Sequence, residues 1–132
     1  MEFIKKFTLL LAISTFFTTL SAQVPGVLDP TFNTSDNGLT YSLLSSGSYS
    51  LAVQSDDKIL VGGYFTDVNG TSINRLARLN ADGSTDQSFD IGTGPSGPIF
   101  AIAVQTDGKI LVGGNFSMFD GNADPDIIRL NA

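Results

Sequence analysis

The residues able to do chemistry in this chain are almost all aspartates. Thirteen side chains are acidic, the sole glutamate is Glu2, and histidine and cysteine are absent. That removes serine–histidine and cysteine–histidine nucleophiles, thiolate zinc sites and histidine metal triads together. Carboxylates alone leave two chemistries, a facing acid–base pair for glycoside hydrolysis and oxygen ligation of calcium. Nearly all the aspartates stand beside Gly, Asn, Ser or Pro, and Asp82, Asp107 and Asp120 each precede a glycine. Such stretches form turns, because a short acidic side chain bonds its own backbone and glycine accepts positive φ. The oxygen-rich sets Asn80/Asp82/Asp86 and Asp120/Asp124/Asp126 surround two of these turns. Neither has the length or the closing glutamate of an EF-hand loop, so structural calcium stands as an alternative. No residue is assigned as catalytic, cofactor-binding or metal-binding. Gly62-Gly63 and Gly113-Gly114 precede no Gly-Lys-Ser/Thr and read as close backbone approach, not as a phosphate cradle.

The elements that position these residues occur twice. AVQSDDKILVGGYF at 52–65 returns as AVQTDGKILVGGNF at 103–116, a register of 51 residues. Gly70, Arg78, Leu79, Asn80 and Ala81 likewise match Gly121, Arg129, Leu130, Asn131 and Ala132. A fixed period of this length marks a repeat architecture. Each copy reads as a β-hairpin. In the second, Phe100, Ile102 and Val104 alternate with Ala101 and Ala103, giving a large and a small face. Asp107-Gly108 makes the turn, and 110–112 is an apolar run expected to be covered on both faces. The first copy places Tyr49, Leu51 and Val53 on its large face and turns on Asp56-Asp57. Leu76–Leu79 and Ile127–Leu130 are further short strands, while 66–74 and 117–125 read as irregular connections. No stretch after residue 22 has a helical period.

Residues 1–22 have the layout of a secretory signal peptide. Lys5 and Lys6 precede an apolar stretch at 7–20, and Ser21-Ala22 offers the cleavage site. That stretch is shorter than the roughly 20 apolar residues that span a bilayer, so no membrane span is expected after cleavage. Removing Glu2, Lys5 and Lys6 leaves twelve aspartates against five basic side chains, a net charge of −7. That balance excludes a nucleic-acid partner, which requires clustered Lys or Arg. The chain is expected to be secreted or on the cell surface, stabilised by packing and strand pairing and not by disulfides.

The segments 29–32 and 86–89 share Asp-x-x-Phe at a spacing of 57. The first unit therefore carries six extra residues, which fall in the Ser/Gly/Asn-rich loop 34–50. The organisation expected is a signal peptide at 1–22, a first unit with this insertion at 23–81, and a second unit at 82–132 cut short within its repeat. The fold class is all-β, two tandem blade-like units of short antiparallel strands within a β-propeller. Closed propellers use about four to eight blades, so the chain reads as part of a longer repeat protein. An assembly of several chains and an open two-unit sheet are the competing readings.

The pattern Val-Gln-x-Asp-Gly-Lys-Ile-Leu-Val-Gly-Gly-x-Phe, followed by Arg-Leu-Asn-Ala-Asp-Gly-Ser-x-Asp-x-x-Phe, resembles the delta-60 repeat of bacterial secreted and surface proteins. It matches at 104–116 and 78–89 and more loosely at 53–65, where Asp57 replaces the turn glycine. The resemblance implies a propeller-like architecture and no shared reaction. The function expected is a non-catalytic extracellular scaffold or binding module. Its partners would be further repeat units and a surface glycan or protein, met through loop 34–50 and the segments after each Gly-Gly. A propeller-based hydrolase, an accessory domain of a larger secreted enzyme and a calcium-stabilised adhesion module are the alternatives. Non-repeating aspartates converging on one pocket would mark an enzyme; repeated ones mark structure. Mass spectrometry of the exported protein is expected to find Gln23 as its first residue, and retention of residues 1–22 would contradict the signal assignment.

Overall fold

The computed structural model describes residues 29, 31–32, 47–123 and 126–132. The leader 1–22, most of the inserted loop, the apolar stretch 41–44 and Asp124 lie outside these residues. The described residues form strands and turns, and none of their segments is a helix long and apolar enough to cross a membrane. The strands are β1 (Ser48–Val53), β2 (Ile59–Gly63), β3 (Asp67–Val68), β4 (Thr71–Ser72) and β5 (Leu76–Leu79), followed by β6 (Ile99–Val104), β7 (Ile110–Gly114) and β8 (Ile127–Leu130). Two three-stranded antiparallel sheets result, β1-β2-β5 and β6-β7-β8, beside the two-stranded β3-β4.

The sequence repeat is a structural repeat, residue for residue. Leu51 pairs with Val61 and Val61 with Ala77; 51 positions on, Ile102 pairs with Val112 and Val112 with Ile128. Each first hairpin closes the same way. Gln54 N–H donates to Lys58 O at 2.8 Å and Asp57 N–H to Gln54 O at 3.1 Å, and Gln105, Lys109 and Gly108 repeat both bonds. This is a type I turn followed by one left-handed residue. Asp57 takes that place at φ 63° and Gly108 at φ 85°, so the first unit holds the shared geometry at a cost of roughly 1 kcal/mol that glycine avoids. Past the Gly-Gly, Arg75 and Asp126 also stand at equivalent positions, both with φ 65°. Their carbonyls accept from Gly63 and Gly114 N–H, each at 2.9 Å.

Three details depart from the sequence expectation. The connection 66–74 is ordered, with β3 and β4 forming a miniature hairpin around Asn69 (φ 54°) and Gly70 (φ 76°), the positive-φ pair of a primed turn. Its counterpart in the second unit is the single pair Phe119–Asn122. Beyond β5, past the turn at Asp82-Gly83, the chain adds one bridge that the sequence did not single out, Leu79 to Thr85. Finally, a bulge interrupts both inner strands, between Ser48 and Ser50 and between Ile99 and Ala101. An extra residue re-aims the side chain beside it. Phe100 therefore leaves the face it was expected to share with Ile102 and Val104 and is 55% exposed.

The core is the seam between the sheets. One face of the first carries Ser50, Ala52, Leu60, Gly62 and Leu76, and the facing side of the second carries Ile102, Val104, Ile110, Val112 and Ile128. Small residues meet branched ones. A Cβ on Gly62 would lie 2.6 Å from Ile99 Cγ2 and 2.8 Å from Ile102 Cδ1, so both isoleucines sit in the hollow that the missing side chain leaves. Ile102 N–H also donates to Ser50 Oγ across the seam at 2.9 Å. On the first sheet's other face, Phe65 and Val68 from the loop cluster with Val61 and Ala77. The apolar run of the first unit is thus covered on both sides, whereas in the second Ile110 and Val112 are buried and Leu111 is partly exposed. Gly62→Ala is expected to cost about 1–3 kcal/mol by overpacking the seam. Gly113, with nothing closer than 3.8 Å to a built Cβ, should accept alanine within about 0.5 kcal/mol. Urea denaturation of dilute protein checks the pair, and equal losses would contradict the interlocked seam.

Candidate functional site

The repeated aspartates act on their own backbone. Asp82 Oδ1 accepts from Ser84 N–H at 2.9 Å and Ser84 Oγ at 2.6 Å. Asp86 does the same with Ser88 at 3.0 and 2.6 Å, and Asp29 with Thr31 at 2.8 and 2.6 Å. The shared Asp-x-x-Phe signature is therefore a shared local structure, completed by Phe32 N–H to Asp29 O and Phe89 N–H to Asp86 O, both 3.3 Å. The hydroxyls of Thr31 and Ser84 lower the carboxyl pKa of Asp29 and Asp82, and Lys109 does so for Asp107.

Asp86 does more than turn the chain. It is buried, and its Oδ2 accepts from Arg78 Nε at 2.8 Å and meets Lys58 Nζ at 3.0 Å. Arg78 in turn lies over the Phe89 ring, 4.5 Å from its centre. The Ser88 hydroxyl foremost, with Lys58 and Arg78, holds the Asp86 carboxyl far below the usual carboxylate range against the opposing effect of burial. Arg78 thus ties β5 to the turn that holds Asp86. Arg129 is exposed and forms no ion pair among the described residues. The set Asn80/Asp82/Asp86 does not converge as a calcium site, because Asp86 already meets two cations and Asp82 is spent on Ser84. Among the described residues no three His, Cys, Asp or Glu side chains are grouped to hold a metal.

Among the described residues, two surfaces bear on ligand binding. One is a cleft of about 560 Å³ between the sheets, whose lining includes Arg78, Phe89, Asp90, Phe119, Asp120 and Asn122. Asp90 and Asp120 are non-repeating aspartates; the position equivalent to Asp120 is Asn69. Both are exposed, and each spends Oδ1 on a backbone N–H, Asp90 on Gly92 at 2.9 Å and Asp120 on Thr93 at 3.0 Å. The other surface is aromatic. Tyr49 and Phe100, equivalent residues on neighbouring inner strands, meet with ring centres 5.9 Å apart and planes at 38°. They are 51% and 55% exposed. Tyr64 lies at the same strand end, under the Arg75 guanidinium at 5.3 Å, and Arg75 Nη1 donates to Pro95 O at 2.9 Å. Sequence alternation put Tyr49 and Phe100 on a packing face; their place beside the bulge brings them out. Phe65 and Phe116 are buried anchors, as expected.

Removing the Asp86 charge should leave Arg78 facing Lys58 without a shared counter-ion, since Lys58 keeps only the exposed Asp56 at 3.9 Å. Asp86→Asn is expected to cost about 2 kcal/mol. Because the native pKa is depressed, the stability that Asp86 supplies is complete above the unfolded carboxylate value of about 3.9 and is lost as the pH falls toward the native value. Thermal melts from about pH 7 to pH 2 should therefore show a steeper acid decline in the parent than in the variant; parallel curves would contradict the assignment.

No curated protein and no solved structure matches the chain. A family model described as domain of unknown function (DUF5122) beta-propeller matches residues 54–89 and 105–132. The first segment runs from the Gln54 turn through Phe89, and the second begins at the equivalent Gln105 turn. The matched segments thus contain the hairpin turn, the Gly-Gly strand, the Arg-Leu-Asn strand and the Asp86 tie just described. The two matched segments are accordingly repeats of the DUF5122 beta-propeller type, which corresponds to the delta-60 repeat.

Proposed function

We propose that the chain is a non-catalytic, extracellular binding scaffold that meets its ligand at the strand end carrying Tyr49 and Phe100. The observation that carries this reading is the exposed ring pair. Two half-exposed aromatic side chains in contact offer apolar area with little conformational entropy left to lose, which suits recognition. Tyr64 extends the same surface. The partner class that fits presents an apolar face, such as the CH face of a sugar ring or an apolar side chain at a cell surface. The signal-like leader supports an extracellular location, and the engagement of the repeated aspartates in turns supports a structural role for the repeat.

A hydrolase is the second reading, favoured by the convergence of Asp90 and Asp120 on one cleft. Against it, both side chains are exposed, whereas acid catalysis by a carboxyl uses a desolvating pocket. Panels of surface polysaccharides and proteins, probed with the parent and with the double variant Tyr49→Ala/Phe100→Ala, decide between them. Loss of about tenfold or more in affinity, with the fold intact by circular dichroism, is expected of the double variant. Unchanged binding together with a hydrolytic activity removed by Asp90→Asn or Asp120→Asn would overturn the scaffold reading.

A further inference from the structure

Arg75 is a cation that the ion pairing of the chain passes over. Lys58 and Arg78 share Asp86, and Lys109 pairs with Asp107 at 2.6 Å. Arg75 and the exposed Arg129 meet no carboxylate among the described residues, although the chain holds twelve aspartates. Of these two, Arg75 is partly buried and held in place. Its Nη1 donates to Pro95 O at 2.9 Å, and its guanidinium lies over the Tyr64 ring at 5.3 Å. Nε is buried without a partner, and Nη2 makes no hydrogen bond among the described residues. A guanidinium brings five N–H donors and a full charge, so most of its capacity is unused here. The repeat does not ask for that charge, since Asp126 holds the equivalent place with the same φ of 65°.

Arg75 and the exposed rings form one surface. Tyr49 lies at the start of β1, Tyr64 follows the last residue of β2, and Arg75 precedes the first residue of β5. Antiparallel pairing brings these three ends together. Tyr64 N–H donates to Gly47 O at 3.0 Å and Gly63 N–H to Arg75 O at 2.9 Å. A Cβ on Gly47 would stand 3.6 Å from the Tyr49 ring, and Tyr49 meets Phe100. The order across the surface is therefore Arg75, Tyr64, Tyr49, Phe100. The turn aspartates Asp56, Asp57 and Asp107 sit at the opposite ends of the strands, about 20 Å away along the six residues of β1. That distance exceeds the screening length of about 8 Å in physiological salt, so the net negative charge does not forbid an anion beside Arg75. Asp126 directs a ligand's charge away from the second blade and toward the first.

We infer that this surface takes an acidic polysaccharide, with the CH face of a sugar ring on Tyr49 and Phe100 and a uronate-type carboxylate on Arg75. The inference rests on the binding-scaffold reading above and names its ligand. The carboxylate accepts from Nη2 in a charge-assisted bond, stronger than a bond between neutral groups. Tyr64 and Pro95 already hold the guanidinium, so little side-chain freedom is lost on binding. A polysaccharide fits this surface better than a peptide side chain. The rings meet at 38° as an open platform, and the clefts of about 560, 470 and 360 Å³ are lined by other residues. Protein hot spots fill enclosed, desolvated pockets instead.

The test is calorimetric titration of the full chain with polygalacturonate and with alginate, each also supplied with its carboxyls reduced to alcohols. The parent is expected to bind at least one acidic polymer about tenfold more tightly than its reduced form, with a preference that shrinks as salt is added. Arg75→Asp should remove that preference and leave the reduced polymer bound as before. The variant side chain is the type that position 126 accepts in the same backbone, and an unchanged melting curve identifies it as folded. Arg75→Lys, which keeps the charge and loses the fork, should retain part of the preference. Tyr49→Ala/Phe100→Ala should lose acidic and reduced polymers alike. Reduced polymers that bind the parent as tightly as acidic ones, or an acidic preference that survives Arg75→Asp, would overturn the acidic ligand while leaving the aromatic surface standing. Acidic polymers that bind the double variant as they bind the parent would overturn the surface itself. A parent that binds none of the four polymers would also overturn the inference, and the scaffold reading would then rest on protein partners.

Discussion

The seating of Ile99 and Ile102 over Gly62 sets how closely the two sheets approach, and the remaining core residues take their burial from that distance. Leu60 and Leu76 on one side and Ile110 and Val112 on the other are fully or almost fully covered because the blades close on each other there. Apolar burial supplies the driving force but no direction. Direction comes from shape, a glycine and an alanine on one face against branched side chains on the other, at the density that interiors require. A side chain at position 62 would hold the sheets apart and open the whole seam.

The outer edge depends on charge instead. Beyond β5 the chain pairs with the sheet through one bridge, too little to hold a strand in place. Asp86 compensates by gathering Lys58 from the hairpin, Arg78 from β5 and Ser88 from its own turn onto one carboxylate. Buried ion pairs contribute little net energy when compared with an apolar replacement, but they specify register. In a chain without cysteine, such a hub fastens the edge that a disulfide could otherwise hold.

Much of this was legible in the residues. The 51-residue period predicted two equal hairpins, and the paired positions of the two hairpins agree because the same turn geometry, with Asp57 in the place of Gly108, sets the same register. Leu76–Leu79 and Ile127–Leu130 have the bounds expected for short strands running into Arg-Leu-Asn. The bulges were not legible: Ser48-Tyr49-Ser50 alternates as well as any strand, and only the partner strand shows that an extra residue is accommodated. Tyr49 and Phe100 were therefore assigned to a packing face. The ordering of 66–74 was missed for a related reason, since its turn, Asn69-Gly70, was visible but its strands are two residues long. Asp-x-x-Phe was recognised within one pattern that also holds Arg78, eight residues before Asp86, while Lys58 lies too far along the chain for local spacing to connect it. The convergence of Asp90 and Asp120 belongs to the same class, created by folding between unrelated loops.

Arg75 and Asp126 show what this construction permits. They occupy the same place in successive blades, with the same φ and the same main-chain bonds, yet one is a cation and the other an anion. The backbone bonds there run through amide and carbonyl, so the two blades keep one geometry although the Arg75 side chain adds its own bond to Pro95 O. Positions of this kind are sockets in which recognition can be rewritten, charge included, while the architecture stays silent about the change. A lineage built on such a unit can diversify what it touches faster than it alters what it is.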